Sequence, residues 1–295
     1  MAGVDAATDV SGPVSARLPD GRLHLQHGPI DLIIEAFGER AEIERAYRQA
    51  IARFDGILAT LAAELPILRS PVGTTPSALN GPVARRMADA VWPYRDVFIT
   101  PMAAVAGSVA DEVLAALVRE RDLTKAYVNN GGDIAIHLSS GESLRAAIVA
   151  NVDAPTLDGG VELRADSPVR GLATSGWRGR SFSLGIADSV TILARSAARA
   201  DAAATIVANA VDADHPNIER RPANTIRDDT DLGALLVTTK VGPLSPEKVA
   251  MALDRGLAKA VELQTRDLIE GAALALQGQW RLTGAAQSIS GRTPA

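Results

Sequence analysis

Residues 127–138 read YVNNGGDIAIHL and join a flexible polar run to an alternating apolar segment typical of a half-buried β-strand. Asn-Gly is the strongest short-range signal for a tight hairpin. Gly131 and Gly132 can adopt positive φ and let a ligand approach the backbone, and Asn130 and Asp133 flank them. Consecutive amides in such a run can also bind an anion. The stretch predicts a turn between two strands and leaves open whether that turn also binds a ligand.

The segments on either side of this stretch alternate between strand and helix patterns. Helical spacing is found at 39–65 (ended by Pro66), 82–94, from near Val109, 196–211 and 245–263. Strand patterns are found at 22–36 (two strands around Gly28-Pro29), 125–129, 133–138, 143–152, 169–176, 188–194, 233–242 and 271–282. Ser108 with Asp111 resembles a capping box, which places the start of the third helix. The pattern predicts one α+β domain of antiparallel hairpins packed against helices over 21–283, between flexible tails at 1–20 and 284–295.

Composition excludes several classes of function. The net charge of -5 and pI near 5.5 argue against a nucleic-acid binder, which would carry a basic stripe. The chain has no cysteine, so it has neither disulfides nor thiolate catalysis. The N-terminus lacks the apolar core of a secretory signal, and we expect no apolar stretch of the roughly 18 residues that a membrane span needs. These features favour a cytoplasmic protein that does not contact membranes.

A second segment, ATSGW (173–177), ends a predicted strand with groups suited to a ligand. Thr174 and Ser175 offer hydroxyls, and Gly176 allows close approach to the backbone. Trp177 could stack on a heterocycle, and a core tryptophan is the alternative. A Ser-Gly turn without a ligand explains the segment equally simply. The spacing is not that of a nucleophile elbow.

A third segment, ARADAAATIVAN (198–209), places Asp201 and Thr205 one helical turn apart, so that they face the same way. A carboxylate and a hydroxyl in this arrangement suit Mg²⁺, which prefers oxygen ligands. The alternative is an ordinary helix with an acid near its positive end. Upstream, the small residues of PMAAVAGSVADEV (101–113) could leave helix N-terminal amides free for a phosphate, or could simply allow tight packing. Among the histidines, His215 in a polar loop is the best placed for catalysis.

Taken in order, NNGGDI, ATSG and SVTILARSAARADAAAT resemble the ApbE-like flavin transferase superfamily over roughly residues 100 to 210. That superfamily shows Asn-x-Gly-Gly-Asp, Ala-Thr-Ser-Gly, and a Ser-Val-Thr strand that leads into Ala-Asp-Ala-x-Ala-Thr. AAVAGSVADEV resembles its Gly-Gly-Ile-Ala-Lys-Gly helix start. DLGALLVTTKVG and HPNIERRPAN are more typical of an uncharacterised branch than of the transferases. The resemblance implies a single ApbE-like, T-fold-related α+β domain.

The resemblance also implies functional residues. Asp201 and Thr205 would contribute to a magnesium site. Two segments would lie by a bound FAD or similar flavin: one is Asn130, Gly131, Gly132 and Asp133, and the other is Thr174, Ser175 and Gly176, with Trp177 next to it. The implied chemistry is Mg²⁺-dependent transfer of FMN or another nucleotidyl group, or cleavage of the FAD pyrophosphate. The apolar helix faces could also support a homo-oligomer.

Two departures from the transferase pattern leave an alternative open. The transferases carry a His-x-x-Asp-Pro-x-Thr-Gly segment, where this chain has only WRGRSFSLGIAD (177–188). Ala106 stands near the place of the Lys in the helix start. Asp188 is the natural catalytic substitute, with Arg178 or Arg180 as phosphate-binding donors. The alternative is a binding or biosynthetic protein, without transferase activity, for another planar coenzyme such as a pterin of one-carbon metabolism. A purely structural scaffold is a third interpretation.

Overall fold

A computed structural model describes residues 12–148 and 159–288. Three predicted stretches therefore lie partly outside the described residues. They are the tails, at 1–11 and 289–295, and the end of the predicted strand 143–152, at 149–152.

Seven α-helices occur in the described part of the chain. They are α1 (Arg40–Phe54), α2 (Ile57–Ala63), α3 (Leu65–Leu68), α4 (Pro82–Val91), α5 (Val105–Val118), α6 (Ala197–Ala210) and α7 (Pro246–Thr265). Ser245 and Ser196 cap α7 and α6 with their side chains, accepting hydrogen bonds from Lys248 N and Arg199 N. A serine cap followed by Pro246 in the first turn is the start expected from sequence.

The strands form one large antiparallel sheet and two separate hairpins. They are β1 (Val14–Arg17), β2 (Leu23–His27), β3 (Ile30–Gly38), β4 (Leu123–Asn130), β5 (Asp133–Leu138), β6 (Ser143–Ile148), β7 (Gly159–Arg164), β8 (Gly171–Ser175), β9 (Ser189–Ala194), β10 (Ile218–Pro222), β11 (Leu236–Val241), β12 (Gly271–Leu276) and β13 (Gln279–Gly284). The large sheet has nine strands in the order β1-β2-β3-β4-β5-β8-β9-β12-β13, and β6-β7 and β10-β11 pair separately. The predicted α+β class with antiparallel hairpins is confirmed.

The order of the strands brings segments that are distant in sequence to the middle of the sheet. β5 pairs with β4 on one side and with β8 on the other, so the NNGGDI hairpin and the ATSG strand become neighbours. Helices α5 and α6 pack against each other and against these strands. The alanines of α6 are almost all fully buried, because their small side chains let the helix lie close to β8, β9 and α5. The middle of the sheet is therefore where the polar motifs can meet.

Three local predictions are corrected by the structure. The predicted helix at 39–65 is broken at Gly56, whose φ of 80° lies in the left-handed region that favours glycine. Pro66 lies in the first turn of α3 rather than after the end of a helix. The predicted third helix is α5 of the structure, and it begins at Val105, not near Val109. The single strand predicted at 271–282 is the β12–β13 hairpin, which turns at Gln277-Gly278.

Both predicted tails contain ordered structure. Residues 14–17 form β1, which pairs with β2 at the edge of the sheet through a regular antiparallel register. At the other end, Ala285–Ser288 form a short 3₁₀ helix in which Ala286 is buried against the sheet. Backbone pairing and apolar burial therefore extend the domain beyond 21–283 at both ends.

One segment of the described chain, Pro101–Val118, is long and apolar enough by length and composition to cross a membrane. The expectation that no such stretch exists is therefore wrong. Half of the segment is buried within the domain. Its acids also have protein partners, since Glu112 accepts hydrogen bonds from Arg53 (2.8 Å) and Arg86 (2.6 Å). These contacts explain the apolar run as a helix of the protein core.

Candidate functional site

The NNGGDI stretch forms a two-residue hairpin between β4 and β5. Gly131 and Gly132 have φ values of 64° and 112°, and Asn130 pairs directly with Asp133. Asn129 tightens the turn, because its Oδ1 accepts a hydrogen bond from Gly132 N at 2.8 Å. The tight turn that the sequence indicated is confirmed. As a consequence, Asn130 and Asp133 lie side by side as the last pair of the hairpin, and they are 6% and 9% exposed.

Helices α5 and α6 cap each other reciprocally. Asp201 of α6 accepts a hydrogen bond from Gly107 N in the first turn of α5, at 3.0 Å. Asp111 of α5 accepts from Ala197 N (3.0 Å) and Ala198 N (2.9 Å) at the start of α6. Each carboxylate satisfies amides that a helix N-terminus otherwise leaves unpaired. The first turn of α5, which the sequence suggested as a free phosphate site, is thus in part occupied by Asp201.

Hydrogen bonds join this helix pair to the hairpin and to the end of β8. Asn130 Nδ2 donates to Ala106 O at 3.1 Å, and Thr174 N donates to Asp133 Oδ1 at 3.2 Å. The charge of Asp133 acts directly on Asp201. The structure therefore brings together four polar residues from three distant segments, Asn130, Asp133, Thr174 and Asp201. With Thr205, which lies one turn after Asp201 on α6, we call them the carboxylate cluster. Thr174 is exposed, so the carboxylate cluster opens to solvent.

The two carboxylates of the cluster have strongly altered acidity. Burial raises the pKa of Asp133 to about 7, and the Thr174 amide and the Arg180 guanidinium oppose this shift. Burial also raises the pKa of Asp201 well above its usual range, and the nearby charge of Asp133 raises it further. Hydrogen bonds from the amides of Gly107 and Ala106 act in the opposite direction. Each of these acids disfavours the ionisation of the other, and burial disfavours the ionisation of both. A bound cation would offset the electrostatic cost of ionising them.

The donor set of the cluster favours a hard cation over a transition metal. In the described ranges 12–148 and 159–288, no group of three or more His, Cys, Asp or Glu side chains could hold a metal ion. A cation here would therefore combine the carboxylates with hydroxyl, carbonyl and water oxygens. Thr205 lies one turn after Asp201 on α6 and is partly buried. Such an all-oxygen set with several waters is typical of Mg²⁺.

Arg180 lies against the glycine hairpin. A Cβ built on Gly131 would lie 3.2 Å from Cζ of Arg180 and would overlap with its Nη2. Glycine at position 131 is favoured by its positive φ, and the exposed guanidinium lies in the space that a side chain there would enter. Arg180 is exposed, and its charge lowers the pKa of Asp133. The segment that departs from the transferase pattern therefore supplies a cation at the edge of the carboxylate cluster.

Asp188 holds the chain that follows β8. Its Oδ1 accepts hydrogen bonds from Trp177 Nε1 (3.2 Å) and Arg178 Nε (3.0 Å), and its Oδ2 accepts from Gln277 N (2.6 Å). The Arg178 guanidinium also lies 4.5 Å from the centre of the Trp177 ring. Gly176 has no room for a side chain, since a Cβ there would lie 2.5 Å from Asp188 O. These contacts fix the positions of Trp177 and Arg178 relative to β8.

The remaining predicted site residues lie at different distances from the cluster. Ser175 is the last residue of β8, pairs with Val190 and is partly buried. His215 follows the C-terminal end of α6, and its Nδ1 accepts a hydrogen bond from Asn217 N at 3.1 Å. Asp201 lies in the second turn of that helix, so the remaining length of α6 alone separates them by about 13 Å. In the described part of the chain, the hydrogen bond of the His215 side chain is made within its own loop and not to the carboxylate cluster.

Two residues of the site had no role in the sequence-based prediction. Thr191 of β9 shares a 2.8 Å hydrogen bond with the Thr174 hydroxyl, and Asn129 closes the hairpin. Asn129 could have been found from sequence, because an Asn two residues before a turn glycine is typical of an Asx turn. Thr191 required knowledge that β8 and β9 are neighbours.

The family model described as AbpE bacteria matches residues 15–282 of this chain. A UPF0280 protein of Methanothrix thermoacetophila is 32% identical over 222 residues, covering 72% of this chain and 85% of the relative. The UPF0280 protein MK0206 of Methanopyrus kandleri is 35% identical over 147 residues, covering 50% of this chain and 56% of the relative. The names of these two relatives state no activity.

Solved flavin transferases are similar to this chain at low sequence identity. The apo form of the flavinyl transferase ApbE of Pseudomonas stutzeri is 15% identical with a TM-score of 0.44, and the match covers 94% of each chain. The flavin transferase ApbE of Vibrio cholerae is 15% identical with a TM-score of 0.38, and the match covers 92% of this chain and 96% of that one.

Proposed function

This chain belongs to the family described as AbpE bacteria, and on that premise we propose that it binds a flavin or a similar phosphate-bearing heterocycle at the carboxylate cluster. The chemistry is Mg²⁺-dependent transfer of FMN or another nucleotidyl group, or cleavage of the ligand's pyrophosphate. One observation carries the proposal. Asp133, Thr174 and Asp201, which come from three segments far apart in sequence, come together so that two carboxyl groups with raised pKa values lie close to each other.

The residues of the cluster fit a magnesium ion. Asp201 and Thr205 would hold it from one side of α6, with Asp133 close enough to share its charge. An ion there would compensate the two carboxylates, which burial alone would keep protonated. When bound, Mg²⁺ neutralises phosphate charge and orients the leaving group.

The protein's own groups would bind and orient the ligand. Arg180 supplies a charged donor beside Gly131, where it can pair with a phosphate oxygen. Gly132 and Ser175 are partly exposed and leave the neighbouring backbone accessible, whereas Gly176 is buried against the Asp188 backbone rather than open to a ligand. Asp188 acts as a positioning residue, because its side chain accepts hydrogen bonds from groups of the protein: Trp177, Arg178 and Gln277. His215 has no part in this proposal.

A second candidate function is supported by the segment 177–188. In the transferases the corresponding segment contains His-x-x-Asp-Pro-x-Thr-Gly, whereas here the Asp188 contacts take its place. A protein that binds a flavin or a pterin-type coenzyme without transferring it would keep the carboxylate cluster and lose that segment. This candidate predicts tight binding without cleavage.

The two candidates separate in one experiment. We would incubate the purified protein with FAD and Mg²⁺, follow FMN and AMP by chromatography, and measure the thermal shift caused by FAD. Asp201→Asn should lower any turnover at least 100-fold, since it removes a metal ligand. Asp254→Asn, an exposed surface acid paired with Arg281, is the matched control and should act like the wild type.

A thermal shift without FMN or AMP would select the binding protein. If FAD, FMN and a panel of pterins all left the melting temperature unchanged, both candidates would be wrong.

A further inference from the structure

A cavity of about 440 Å³ lies on the outer side of α4. Its lining residues on α4 and just after it are Arg85, Ala88, Asp89 and Trp92, spaced by about one helical turn. They belong to the face of α4 opposite the one that packs into the core. Pro101 closes one end. A volume of this size is within the range of small-molecule sites.

A strap of chain, residues 73–79, covers part of the cavity. Its ends are fixed, since Val72 N donates to Ile99 O at 2.9 Å and the Glu64 carboxylate accepts from Asn80 N (2.6 Å) and Gly81 N (3.0 Å). Between these anchors, residues 73–79 form no backbone hydrogen bond to any described residue. The strap can therefore shift to admit a ligand without breaking such a bond.

The lining has the chemistry that a planar nitrogen heterocycle needs. Leu79, Ala88 and Pro101 provide apolar walls, and Trp92 provides an aromatic surface on which a ring can stack. Asp89 is an acceptor at the wall for ring N–H groups, and Arg85 is a donor for ring carbonyls. The Arg95 guanidinium lies 4.8 Å from the centre of the Trp92 ring, which makes that ring part of a cation–π pair.

The cavity and the carboxylate cluster flank the same short segment. Pro101 begins a 3₁₀ turn, Pro101–Ala104, that continues directly into α5. Six residues further, Gly107 N donates to Asp201. From the rise per residue of a 3₁₀ turn and an α-helix, Pro101 and Gly107 are roughly 10 Å apart. A ribityl or ribosyl phosphate chain can cover that distance.

We propose that this cavity binds the planar nitrogen heterocycle of the ligand, with Trp92 as the stacking residue. The pairing of the ring with phosphates at the carboxylate cluster rests on the proposed function, whereas the cavity's affinity for a ring does not. Trp177 is the competing platform. Each ring has an arginine near its centre, Arg178 at 4.5 Å for Trp177 and Arg95 at 4.8 Å for Trp92, so the difference is that the Trp177 indole N–H donates to Asp188.

Riboflavin tests the proposal, because it carries the ring and no phosphate. We would measure its binding by equilibrium dialysis to the wild type, Trp92→Ala, Trp92→Phe, Ala88→Phe and Trp177→Phe. Trp92→Ala should weaken binding by about tenfold or more, because stacking on an aromatic side chain contributes roughly 1–3 kcal/mol. Trp92→Phe should keep most of the affinity, and Ala88→Phe should abolish it by filling the cavity. Ala115→Phe, on an exposed face of α5, is the matched control.

The outcomes separate the cavity from the proposed function. Riboflavin binding that depends on Trp92 and Ala88 supports the cavity even if FAD is never cleaved. If binding is unchanged in Trp92→Ala and Ala88→Phe but lost in Trp177→Phe, the cavity is not the ring site. The proposed function would still stand. No binding of riboflavin to the wild type overturns the cavity as the ring site as well. Circular dichroism of each variant confirms that a loss of binding is not a loss of fold.

Discussion

At the scale of single residues, Asp133 shows how a turn can place a charge where water cannot fully reach it. Two glycines at positive φ let β4 reverse directly into β5, and Asp133 follows them at 9% exposure. Its carboxylate accepts a hydrogen bond from Thr174 N, and Arg180 is its nearby cation. Since burial raises its pKa to about 7, the folded protein binds a proton there that the unfolded chain, with a value near 3.8, releases.

This difference predicts a pH dependence of stability. Between about pH 4 and pH 7 the native state holds more protons than the unfolded state, so the free energy of unfolding falls as pH rises. The raised pKa of Asp201 acts in the same direction. Asp133→Asn removes the ionisable group while its amide oxygen can still accept from Thr174 N. We expect the metal-free variant to be more stable than the wild type at pH 8, by at most about 4 kcal/mol.

Urea denaturation with chelator at several pH values between 4 and 8 measures this effect. The slope of stability against pH should flatten in Asp133→Asn. Asp254→Asn, an exposed acid paired with Arg281, should leave the slope as it is. A variant that loses stability at pH 8 would mean that the Asp133 carboxylate is stabilising as an anion, and the electrostatic description of the cluster would be wrong.

At the scale of elements, the contact between α5 and α6 determines the geometry of the site. The helices meet at Gly107, where a Cβ would overlap with Ala197 O and lie 2.7 Å from Ala198 N. The two cross-caps, by Asp111 and Asp201, both depend on this close approach. Backbone atoms form the obstacle, so no side chain can move aside.

Gly107→Ala should therefore force the helices apart. We expect a loss of about 1–3 kcal/mol of stability from overpacking, together with loss of any Mg²⁺ effect on the melting temperature. Gly73→Ala is the matched control, because nothing lies within 4 Å of its added Cβ and its φ is not positive. Chemical denaturation of the two variants gives the comparison. Equal stability of Gly107→Ala and the wild type would refute the close crossing.

The same helix pair shows where local sequence rules succeed and fail. Ser108 and Asp111 have the spacing of a capping box, and the chemistry of that signal is correct, since Asp111 does cap a helix. It caps α6, which begins 86 residues later, rather than the helix that contains it. Ser245-Pro246 gave the right start of α7 because both partners are local. Signals whose partner is near in sequence are predictable, and those whose partner is brought by the fold are not.

At the scale of the whole molecule, the order of motifs predicted which residues belong to the candidate site. It did not predict how those residues contact each other. Asp133, Thr174 and Asp201 could be selected from sequence, and the strand order β4-β5-β8-β9 explains why they meet. No pattern in the sequence indicated that Asp201 caps α5, or that Arg180 fills the space over Gly131. The Trp92 cavity was not indicated either, because the cavity's walls come from a strap, a helix face and a 3₁₀ turn that have no common pattern.

A ligand that bridges the carboxylate cluster should protect distant segments together, because they form one site only through the fold. With Mg²⁺ and FAD present, we expect slower amide hydrogen exchange at 106–108, 130–133 and 174–176. The β10–β11 hairpin forms a separate sheet and is the internal control, so its exchange should not change. Asp201→Asn should reduce the protection of all three segments at once, since it removes a carboxylate that would hold the ion between them. Protection of one segment alone would mean that the ligand does not span the cluster. The three segments would then be neighbours in the fold without forming one binding site.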